Sequence, residues 1–436
     1  MNYTTNEAVV HILNADGTHD LSFSGDGSTI IPFPGSTDRL EGIATQPDGK
    51  VVICGSTMIS SVDHQVIARL LANGELDTDF ADNGLFIYTP AGSESRAYSV
   101  AVQSDGKIVA CAAIGSGIVE ITGDRAIIRT LPDGSLDPDF GIGGVSSFDT
   151  GFDVRPYRVN VLSDGRIVSG GQNDACAASV VMPDGSPDPG FGSDGFALPF
   201  SSTDSIAKSI AVAVHPDGRL VLGGMITPNF GPEQNFLLGM DVTGGLDPGF
   251  GENGLLVPLG LDWVTSKFID LEFDQEARII GLSRIDDGGE NTSALLRILP
   301  SGIMDASFSD DGIHVLEETG WEMDIQPDGK VLVLGRTNEG LVVSRYLTDA
   351  TLDIGDVADP PVLVRPHVLN DRVVIPAPVR GEAAFIWQLL DGMGRTVLNG
   401  TSPGPVSIDR AGLSSGSYTA WIEGADRVFL CRFLLP

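Results

Sequence analysis

A short motif that places an aspartate three residues before a phenylalanine occurs six times, and it supplies the residues whose type and spacing could do repeated chemistry. The six aspartates are Asp20, Asp77, Asp137, Asp188, Asp247 and Asp305. A carboxylate at such a position suits one calcium site per copy, because Ca²⁺ takes closely spaced oxygen ligands. It equally suits a tight turn, in which the aspartate accepts hydrogen bonds from backbone N–H groups two or three residues on. The residue two positions on is Asp79 or Asp139 in two copies but glycine or serine in the others, which favours the turn and leaves Ca²⁺ as the one cofactor to consider.

No other constellation in the sequence points to catalysis. The histidines include no pair at the i, i+4 spacing of zinc ligands, and the sequence has no nucleophile elbow, phosphate loop or HExxH motif. Carboxylates are abundant, but no two of them stand out as the acid and base of a glycosidase. We therefore predict no catalytic, cofactor or metal residues, and we keep a polysaccharide-active enzyme with a carboxylate site in a central cleft as the alternative.

The repeated units differ most in three segments that follow the second apolar run of a unit. These segments are 55–65, 224–236 and 283–293. If all units share one strand order, the three segments open on one face and form a binding surface for a protein or a glycan. Its predicted contacts are Asp63, His64, Asn229, Phe230, Asp286, Asp287 and Glu290. The other interpretations are solvated loops without a ligand and a structural adhesion module.

A second motif, QPDGK or a near copy of it, recurs in step with the aspartate motif. Its glycines are Gly49, Gly106, Gly165, Gly218 and Gly329, with Ala277 in the fifth copy, so the repeat unit is about 57 residues long. In the second unit, apolar or alternating runs cover 97–103, 107–114, 125–131 and 143–149. Such runs are typical of short strands, and an Asp-Gly pair between two of them is a hairpin signal. Four strands in each of six units predict an all-β fold, a six-bladed β-propeller over residues 1–355.

Two recurring side chains fit this fold. The motif phenylalanines are expected to fill the seams between neighbouring blades. Arginines that precede the turn are expected to pair with the aspartate as part of the scaffold; they are Arg69, Arg129, Arg297 and Arg345. The third-strand pattern occurs seven times, because the chain starts with one copy and 341–355 is another. A seven-bladed ring, completed by residues outside this sequence, is therefore the alternative to six blades.

The tail and the overall charge bound the remaining possibilities. Composition shifts at 356–361, which indicates a linker, and the apolar runs of 362–436 predict a small Ig-like β-sandwich. The formal net charge of −33 disfavours nucleic acid as a partner and favours a monomer. No apolar run reaches the roughly 18 residues of a transmembrane segment. The first residues show no basic segment ahead of an apolar core, so we expect either a cytoplasmic protein or one whose leader is missing.

Two parts of the chain resemble known families. RLLANGELDTDF (69–80) and QPDGK (46–50) resemble the delta-60 repeat family of bacterial proteins, a likeness that covers residues 8–355 and implies the propeller fold but no activity. WQLLDGMGRTV (387–397) and IDRAGLSSGSYTAWIEG (408–424) resemble the C-terminal sorting domain of the type IX secretion system of Bacteroidetes. RPHVLND (365–371) replaces the usual Pro-Asn-Pro of that domain. The resemblance implies export by the type IX secretion machinery, so the leading hypothesis is a secreted or cell-surface, non-enzymatic binding propeller.

Overall fold

The chain is all-β and divides into two compact units. A computed structural model describes residues 8–90, 93–116, 122–148, 155–172, 176–200, 205–215, 217–228, 234–258, 265–286, 291–309 and 311–348 of the first unit, which spans 1–349. In the second unit, 350–436, it describes residues 362–363, 367–368, 372–375, 385–391, 396–402, 406–409, 413, 416–423 and 428–435. This described part of the chain contains no helix, and hence no helix that could span a membrane.

The first unit is a six-bladed β-propeller, as predicted. Five blades are four-stranded sheets in which each strand pairs antiparallel with the next one along the chain. The first blade has β3 (Asp38–Thr45), β4 (Val51–Ile59), β5 (Val62–Leu70) and β6 (Leu85–Tyr88), and the second has β7 (Glu94–Val102), β8 (Ile108–Ser116), β9 (Thr122–Thr130) and β10 (Val145–Phe148). The third has β11 (Arg155–Val161), β12 (Ile167–Gln172), β13 (Cys176–Val181) and β14 (Phe196–Phe200).

The remaining blades continue this pattern. The fourth has β15 (Ser205–Val214), β16 (Leu220–Pro228), β17 (Gln234–Met240) and β18 (Leu255–Leu256), and the fifth has β19 (Thr265–Phe273), β20 (Ile279–Asp286), β21 (Asn291–Ile298) and β22 (Ile313–Val315). The sixth has three described strands, β23 (Thr319–Ile325), β24 (Val331–Thr337) and β25 (Gly340–Tyr346). A two-stranded sheet of β1 (Ala8–His11) and β2 (Ser28–Ile31) precedes the first blade, and we call it the half-blade.

Asp-Gly turns connect the first and second strands of the blades. Gly49 and Gly106 have φ angles of 84° and 83°, a conformation that is open to glycine and strained for other residues. Ala277 takes the glycine's place in the fifth blade with a φ of 60°. Because the described blades share one strand order, these turns lie at one end of the propeller together with the Asp-Phe motifs. We call it the turn end, and the opposite end, where second and third strands join, the loop end.

The first strand of every blade carries a β-bulge at the same repeat position. The pairing register shifts between Leu40 and Gly42, Ala97 and Ser99, Pro156 and Arg158, Ser209 and Ala211, Phe268 and Asp270, and Gly320 and Glu322. A bulge twists the strand locally and re-aims the side chains that follow it. Each blade therefore presents the residue after the bulge in the same way.

The apolar core lies in the seams between blades. Between the first two blades, Ile67 and Phe80 of one pack with Val100 and Ala110 of the next. The six motif phenylalanines are between 0% and 6% exposed, which confirms that they fill the seams; they are Phe23, Phe80, Phe140, Phe191, Phe250 and Phe308. Across the molecule, Arg158 of the third blade contacts Asp270 of the fifth and Glu322 of the sixth. The blades therefore surround a common axis and do not stack in a line.

The second unit contains two described sheets. Its strands are β26 (Val362–Leu363), β27 (His367–Val368), β28 (Arg372–Ile375), β29 (Phe385–Asp391), β30 (Thr396–Ser402), β31 (Val406–Asp409), β32 (Gly416–Glu423) and β33 (Val428–Leu435). One sheet has the order β26-β33-β32-β29-β30 and the other the order β27-β28-β31. Strands are thus present where the tail was expected to have them, while the packing of the two sheets as a sandwich and the linker boundaries stay predictions.

Candidate functional site

The motif aspartates close turns. In all six copies a carboxylate oxygen accepts a hydrogen bond from the backbone N–H two residues on, at distances from 2.8 to 3.2 Å. This is the predicted turn, and it is confirmed. Among the described residues, no three His, Cys, Asp or Glu side chains are grouped so that they would hold a metal ion. The calcium interpretation therefore finds no support at these aspartates.

A buried arginine binds the aspartate in three blades, as predicted for Arg69, Arg129 and Arg297. The fourth predicted arginine, Arg345, is exposed, and the aspartate that follows it, Asp353, lies outside the described residues. In the second blade, Arg129 Nε donates to Asp137 Oδ2 at 2.8 Å, and Arg129 Nη1 donates to the carbonyl oxygen of Pro183 in the next blade at 2.6 Å. The guanidinium carbon also lies 4.3 Å from the centre of the Phe140 ring. The same bond to aspartate recurs in the pairs Arg69–Asp77 and Arg297–Asp305. One side chain thus links the turn, the seam ring and the neighbouring blade.

The basic residue of the QPDGK motif is a second cation for the same aspartate, a role that the sequence analysis missed. Lys107 Nζ lies 3.1 Å from Asp137 Oδ2. In the third blade, which lacks the arginine, Arg166 occupies the lysine's place and donates to Asp188 Oδ2 at 2.9 Å. The two motifs recur in step because their side chains bind each other. The sequence contains a sign of this pairing, because the basic residue of the QPDGK motif and the motif aspartate recur in step along the chain.

At the axis, by contrast, the blades present different residues. The residue after the bulge is Gly42, Ser99, Arg158, Ala211, Asp270 or Glu322, in blade order. Two positions further on, the residues are Ala44, Ala101, Asn160, Ala213, Glu272 and Asp324. The charged members come from the third, fifth and sixth blades. We call Arg158, Asp270, Glu272, Glu322 and Asp324 the axial cluster.

Arg158 lies at the centre of the axial cluster. Its Nη2 is 2.6 Å from Asp270 Oδ1 and also contacts Glu322 Oε1. The fourth blade lies between the blades of Arg158 and Asp270, and it has the small and fully buried Ala211 at this position. The long arginine side chain therefore has room to pass the fourth blade and reach the fifth. Asp270 is 3% exposed and its Oδ2 accepts the N–H of Met323 at 2.9 Å. The cluster therefore joins three blades at the centre of the ring.

Three acidic groups of the axial cluster have raised pKa values. Burial, together with the nearby charges of Asp270 and Asp324, raises the pKa of Glu272 to about 8, against the N–H of Ile325, which donates to Glu272 Oε2 at 3.0 Å. Partial removal from water raises the pKa of Glu322 to about 7, although its side chain is still 47% exposed and the attraction of Arg158 opposes the rise. Burial also raises the pKa of Asp270, again against Arg158. Near neutral pH the cluster therefore contains both protonated carboxyl groups, which donate hydrogen bonds, and carboxylates, which accept them.

Two of the residues predicted to contact a ligand, Asp63 and His64, lie in paired strands of the first blade. Segment 55–65 is not an open loop, because β4 runs to Ile59 and β5 begins at Val62, with a two-residue turn at Ser60 and Ser61. Asp63 is 7% exposed and forms an ion pair with Arg96 of the second blade. His64 is half-buried, and its Nδ1 hydrogen-bonds to Thr89 Oγ1. The Asp63 side chain therefore connects two blades, and the His64 side chain connects a strand to the segment that follows the first blade.

The other predicted contacts are placed only in part. Asp286 is the last residue of β20 and is half-buried. The four residues Asn229, Phe230, Asp287 and Glu290 lie outside the described residues. The described ends of the three segments lie at the loop end of their blades, but contact of these seven residues with a ligand stays a prediction.

A second line of polar contacts crosses the seams toward the loop end. It uses the residue four positions before the arginine slot. Gln65 Oε1 accepts from Ser95 Oγ at 3.1 Å, and Asn235 Nδ2 donates to Ser283 Oγ at 2.9 Å. At this position in the second blade, Arg125 is fully buried and donates to Ser179 Oγ at 3.2 Å, and burial lowers its pKa to about 10. The residue type changes from blade to blade, so no sequence motif revealed this line.

Comparison with protein families supports the propeller. A family model described as a β-propeller domain of unknown function (DUF5122) matches residues 46–80 and 103–140. The chain is similar to this family over those segments, each of which runs from the QPDGK-type motif to the motif phenylalanine. No curated protein matches the sequence.

Solved structures resemble this chain in fold alone. A PQQ-bound aldose sugar dehydrogenase from Streptomyces coelicolor is 14% identical over 78% of this chain and 98% of its own, with a TM-score of 0.40. The polysaccharide lyase Uly1 is 13% identical over 79% of this chain and 85% of its own, with a TM-score of 0.46. A protein of unknown function from Dyadobacter fermentans is 10% identical over 86% of this chain and 95% of its own, with a TM-score of 0.38. At these values the matches carry no argument about activity.

Proposed function

We propose that this protein is a secreted or cell-surface propeller that binds a glycan at its axis without turning it over. The observation that carries the proposal is the axial cluster, in which Glu322 is 47% exposed beside the ion pair of the partly exposed Arg158 with the buried Asp270. Sugar hydroxyls both donate and accept hydrogen bonds, and the cluster offers both partners near neutral pH. A protein ligand on the loop end is the less favoured form of the same function, since Asp63 is occupied within the scaffold.

Binding by the intact protein to an array of defined oligosaccharides tests this proposal. We expect saturable binding to some of the neutral glycans. At pH 8, above the pKa of Glu322, Glu322→Gln together with Asp324→Asn should lower the affinity about tenfold or more, because both contacts lose charge. The control is Asp48→Asn, which changes a carboxylate that is 57% exposed in an Asp-Gly turn of the first blade. Binding that survives the axial double substitution unchanged would count against the axis as the site.

A polysaccharide-active enzyme is the second candidate, and one observation favours it. Glu272 and Glu322 lie in neighbouring blades and have raised pKa values of about 8 and about 7. A carboxyl group that keeps its proton near pH 7 is suited to general-acid catalysis. Incubation with a panel of polysaccharides, followed by assay for new chain ends, separates the two candidates. Turnover that disappears in Glu272→Gln would establish the enzyme and overturn the non-enzymatic proposal.

We further propose that the tail directs export through type IX secretion and that the protein acts as a monomer. The support is the resemblance of 387–397 and 408–424 to sorting-domain sequence and the compactness of the unit 350–436. The test is expression of the full chain behind a secretion leader in a Bacteroidetes host with and without a working type IX system. Equal amounts of the protein on the cell surface and in the medium of both hosts would refute the export role. Light scattering of the released protein measures its mass and so tests whether it is a monomer.

A further inference from the structure

The sixth blade exposes an apolar face that the other blades bury. Val343 in β25 is 47% exposed. At the same repeat position in the first five blades the residues are 0% exposed; they are Ile67, Ile127, Ala178, Leu237 and Leu295. Leu334 in β24 pairs with Val343 and is 41% exposed. In the other blades the next blade covers this face, whereas here it is open to solvent.

The first blade is open on its opposite side, close to the axis. Ile43 in β3 is 58% exposed. Its equivalents in the other blades are between 2% and 6% exposed; they are Val100, Val159, Val212, Leu271 and Met323. Val100, for example, packs against Val52 and Cys54 of the preceding blade, which lie in its second strand. The second strand of a preceding blade is therefore what Ile43 lacks.

The half-blade explains why that cover is incomplete. β1 and β2 match the third and fourth strands of a repeat, and their Ala8, Val10 and Ile31 pack on the first blade with Val66. Among the described residues β1 pairs only with β2, so its other edge, where a second strand would lie, has no described partner. Among the described residues, no strands take the places of the first and second strands of a blade between the sixth blade and the first.

We propose that this gap is a docking site for a β-hairpin from another polypeptide, with the pattern of the first and second strands of this chain's own repeat. One hairpin accounts for all three open surfaces: its second strand pairs with the edge of β1, one face covers Val343 and Leu334, and the other covers Ile43. Backbone hydrogen bonds to an exposed edge supply affinity in this mode, and the apolar faces supply specificity. The proposal does not depend on glycan binding.

The surroundings of the gap indicate which hairpin fits. A second strand buried on both faces must be apolar at successive positions, as IVACAAI (108–114) is in the second blade. Arg336 and Arg345 are exposed on the same face as Leu334 and Val343, since they pair with Leu341 and Leu332. Two cations at the rim favour a partner with acidic residues flanking the apolar strand.

Two other ways to cover these surfaces conflict with contacts already made. In one, β1 would take the place of β25 next to β24. That exchange breaks seven residue pairings of β24 with β25 and the hydrogen bond from Tyr346 Oη to Glu318 at 2.8 Å. In the other, a second copy of the chain would supply the hairpin, but its own six first hairpins are held in its blades. An external hairpin breaks no strand pairing among the described residues.

A synthetic peptide with the sequence of residues 94–116 is the probe, added to the full chain. We expect saturable one-to-one binding, a rise in Tm on the order of 5 °C at a hundredfold excess over Kd, and slower hydrogen exchange in β1. Val343→Glu should weaken binding by about tenfold or more without lowering the Tm of the free protein, because Val343 is already exposed. The control is Ile142→Glu, at a position 90% exposed in a turn of the second blade.

Each remaining outcome overturns the proposal in an identifiable way. If the peptide does not bind, or if it binds Val343→Glu as tightly as the unchanged protein, the gap is not a docking site. A disulfide that forms between Val10→Cys and Leu334→Cys shows that β1 has displaced β25. Dimerisation without peptide that Val343→Glu abolishes assigns the gap to a second copy. If the hairpin fills the gap only when fused ahead of Ala8, and never as a free peptide, the occupant belongs to the same chain.

Discussion

The turn end and the axis of the propeller are built from the same strands in opposite ways. At the turn end, the aspartate, the phenylalanine and a cation recur in blade after blade and bind one another. At the axis, one repeat position holds a glycine, a serine, an alanine and three charged residues in different blades. The residues that recur are those that every seam between blades needs. The residues that vary make contacts that depend on which blades meet at the axis. The axial cluster is therefore where this propeller has an individual chemistry.

The fourth blade is a natural variant of the turn end. Gly239 stands where the first, second and fifth blades have the arginine, and the Phe250 ring fills the space, since a Cβ on Gly239 would lie 2.4 Å from Phe250 Cγ. Asp247 keeps its turn bond to the N–H of Gly249 at 2.8 Å, but its nearest cation is Arg219 at 3.8 Å. The turn is thus independent of the buried ion pair, which makes the two roles of the aspartate separable by experiment.

Asp137→Ala should produce the largest loss of stability. It removes the turn bond and also leaves Arg129 buried without its anion, which typically costs about 3–5 kcal/mol. Asp247→Ala is the matched control, where the turn bond is lost together with only a long, exposed contact to Arg219 at 3.8 Å, so we expect a loss of about 1 kcal/mol. Urea denaturation followed by circular dichroism compares the two variants. Equal losses would show that the ion pair adds nothing and that the turn alone explains the repeated aspartate.

The axis should be the next most sensitive region. Arg158→Met leaves Asp270 buried without a cation and unties the sixth blade from the third, so we expect a loss of about 2–4 kcal/mol. Hydrogen exchange of the amides in β23 and β24 reports the change locally, where it should exceed that in β3 and β4. Arg336→Met, at an exposed arginine of the sixth blade, is the control and should stay within about 0.5 kcal/mol. A uniform effect across all blades would contradict a local tie.

The same contrast explains what the sequence could predict. The six units, the turns and the seam phenylalanines follow from spacing, because each blade must solve one packing problem with the same residues. The axial cluster has no motif, since Arg158, Asp270 and Glu322 meet only after the ring brings the third, fifth and sixth blades together. Segment 55–65 was expected to be a loop because the turn at Ser60 and Ser61 lacks the glycine or asparagine that usually marks a two-residue hairpin. Both serines have positive φ angles, of 53° and 66°.

The protonated state of the axis predicts a pH dependence opposite to that of the turn end. Glu272 has a pKa of about 8 when folded and an ordinary value of 4.5, so between these values the folded state binds one proton more than the unfolded state. Its contribution to stability is therefore lost as pH rises through that window. Glutamine imitates the protonated acid, so Glu272→Gln should leave the Tm unchanged at pH 5 and raise stability by about 1–2 kcal/mol at pH 9.

Thermal scans from pH 5 to pH 9 check this expectation, with Glu75→Gln at an exposed site of the first blade as control. At the turn end the sign reverses. Burial would raise the pKa of Asp137, but the N–H of Asp139 and the charges of Lys107 and Arg129 hold it below its usual value, so that its contribution is lost as pH falls. A Glu272→Gln variant that loses stability equally at both pH values would show that the carboxyl group is not protonated in the folded state.

The smallest expected effect concerns the fifth blade, where the turn between the first and second strands has alanine in place of glycine. Ala277 holds a φ of 60° where the other blades have glycine, so Ala277→Gly should stabilise the fifth blade by about 0.5–1 kcal/mol through relief of backbone strain. Gly329→Ala is the reverse change in the sixth blade, at a φ of 80° with no atom within 4 Å of the added Cβ, so it tests the backbone alone. Opposite shifts in Tm of similar size are expected from scanning calorimetry. If Gly329→Ala is neutral, the recurrent glycine is not required by its conformation, and the uniformity of the turn end would need another physical cause.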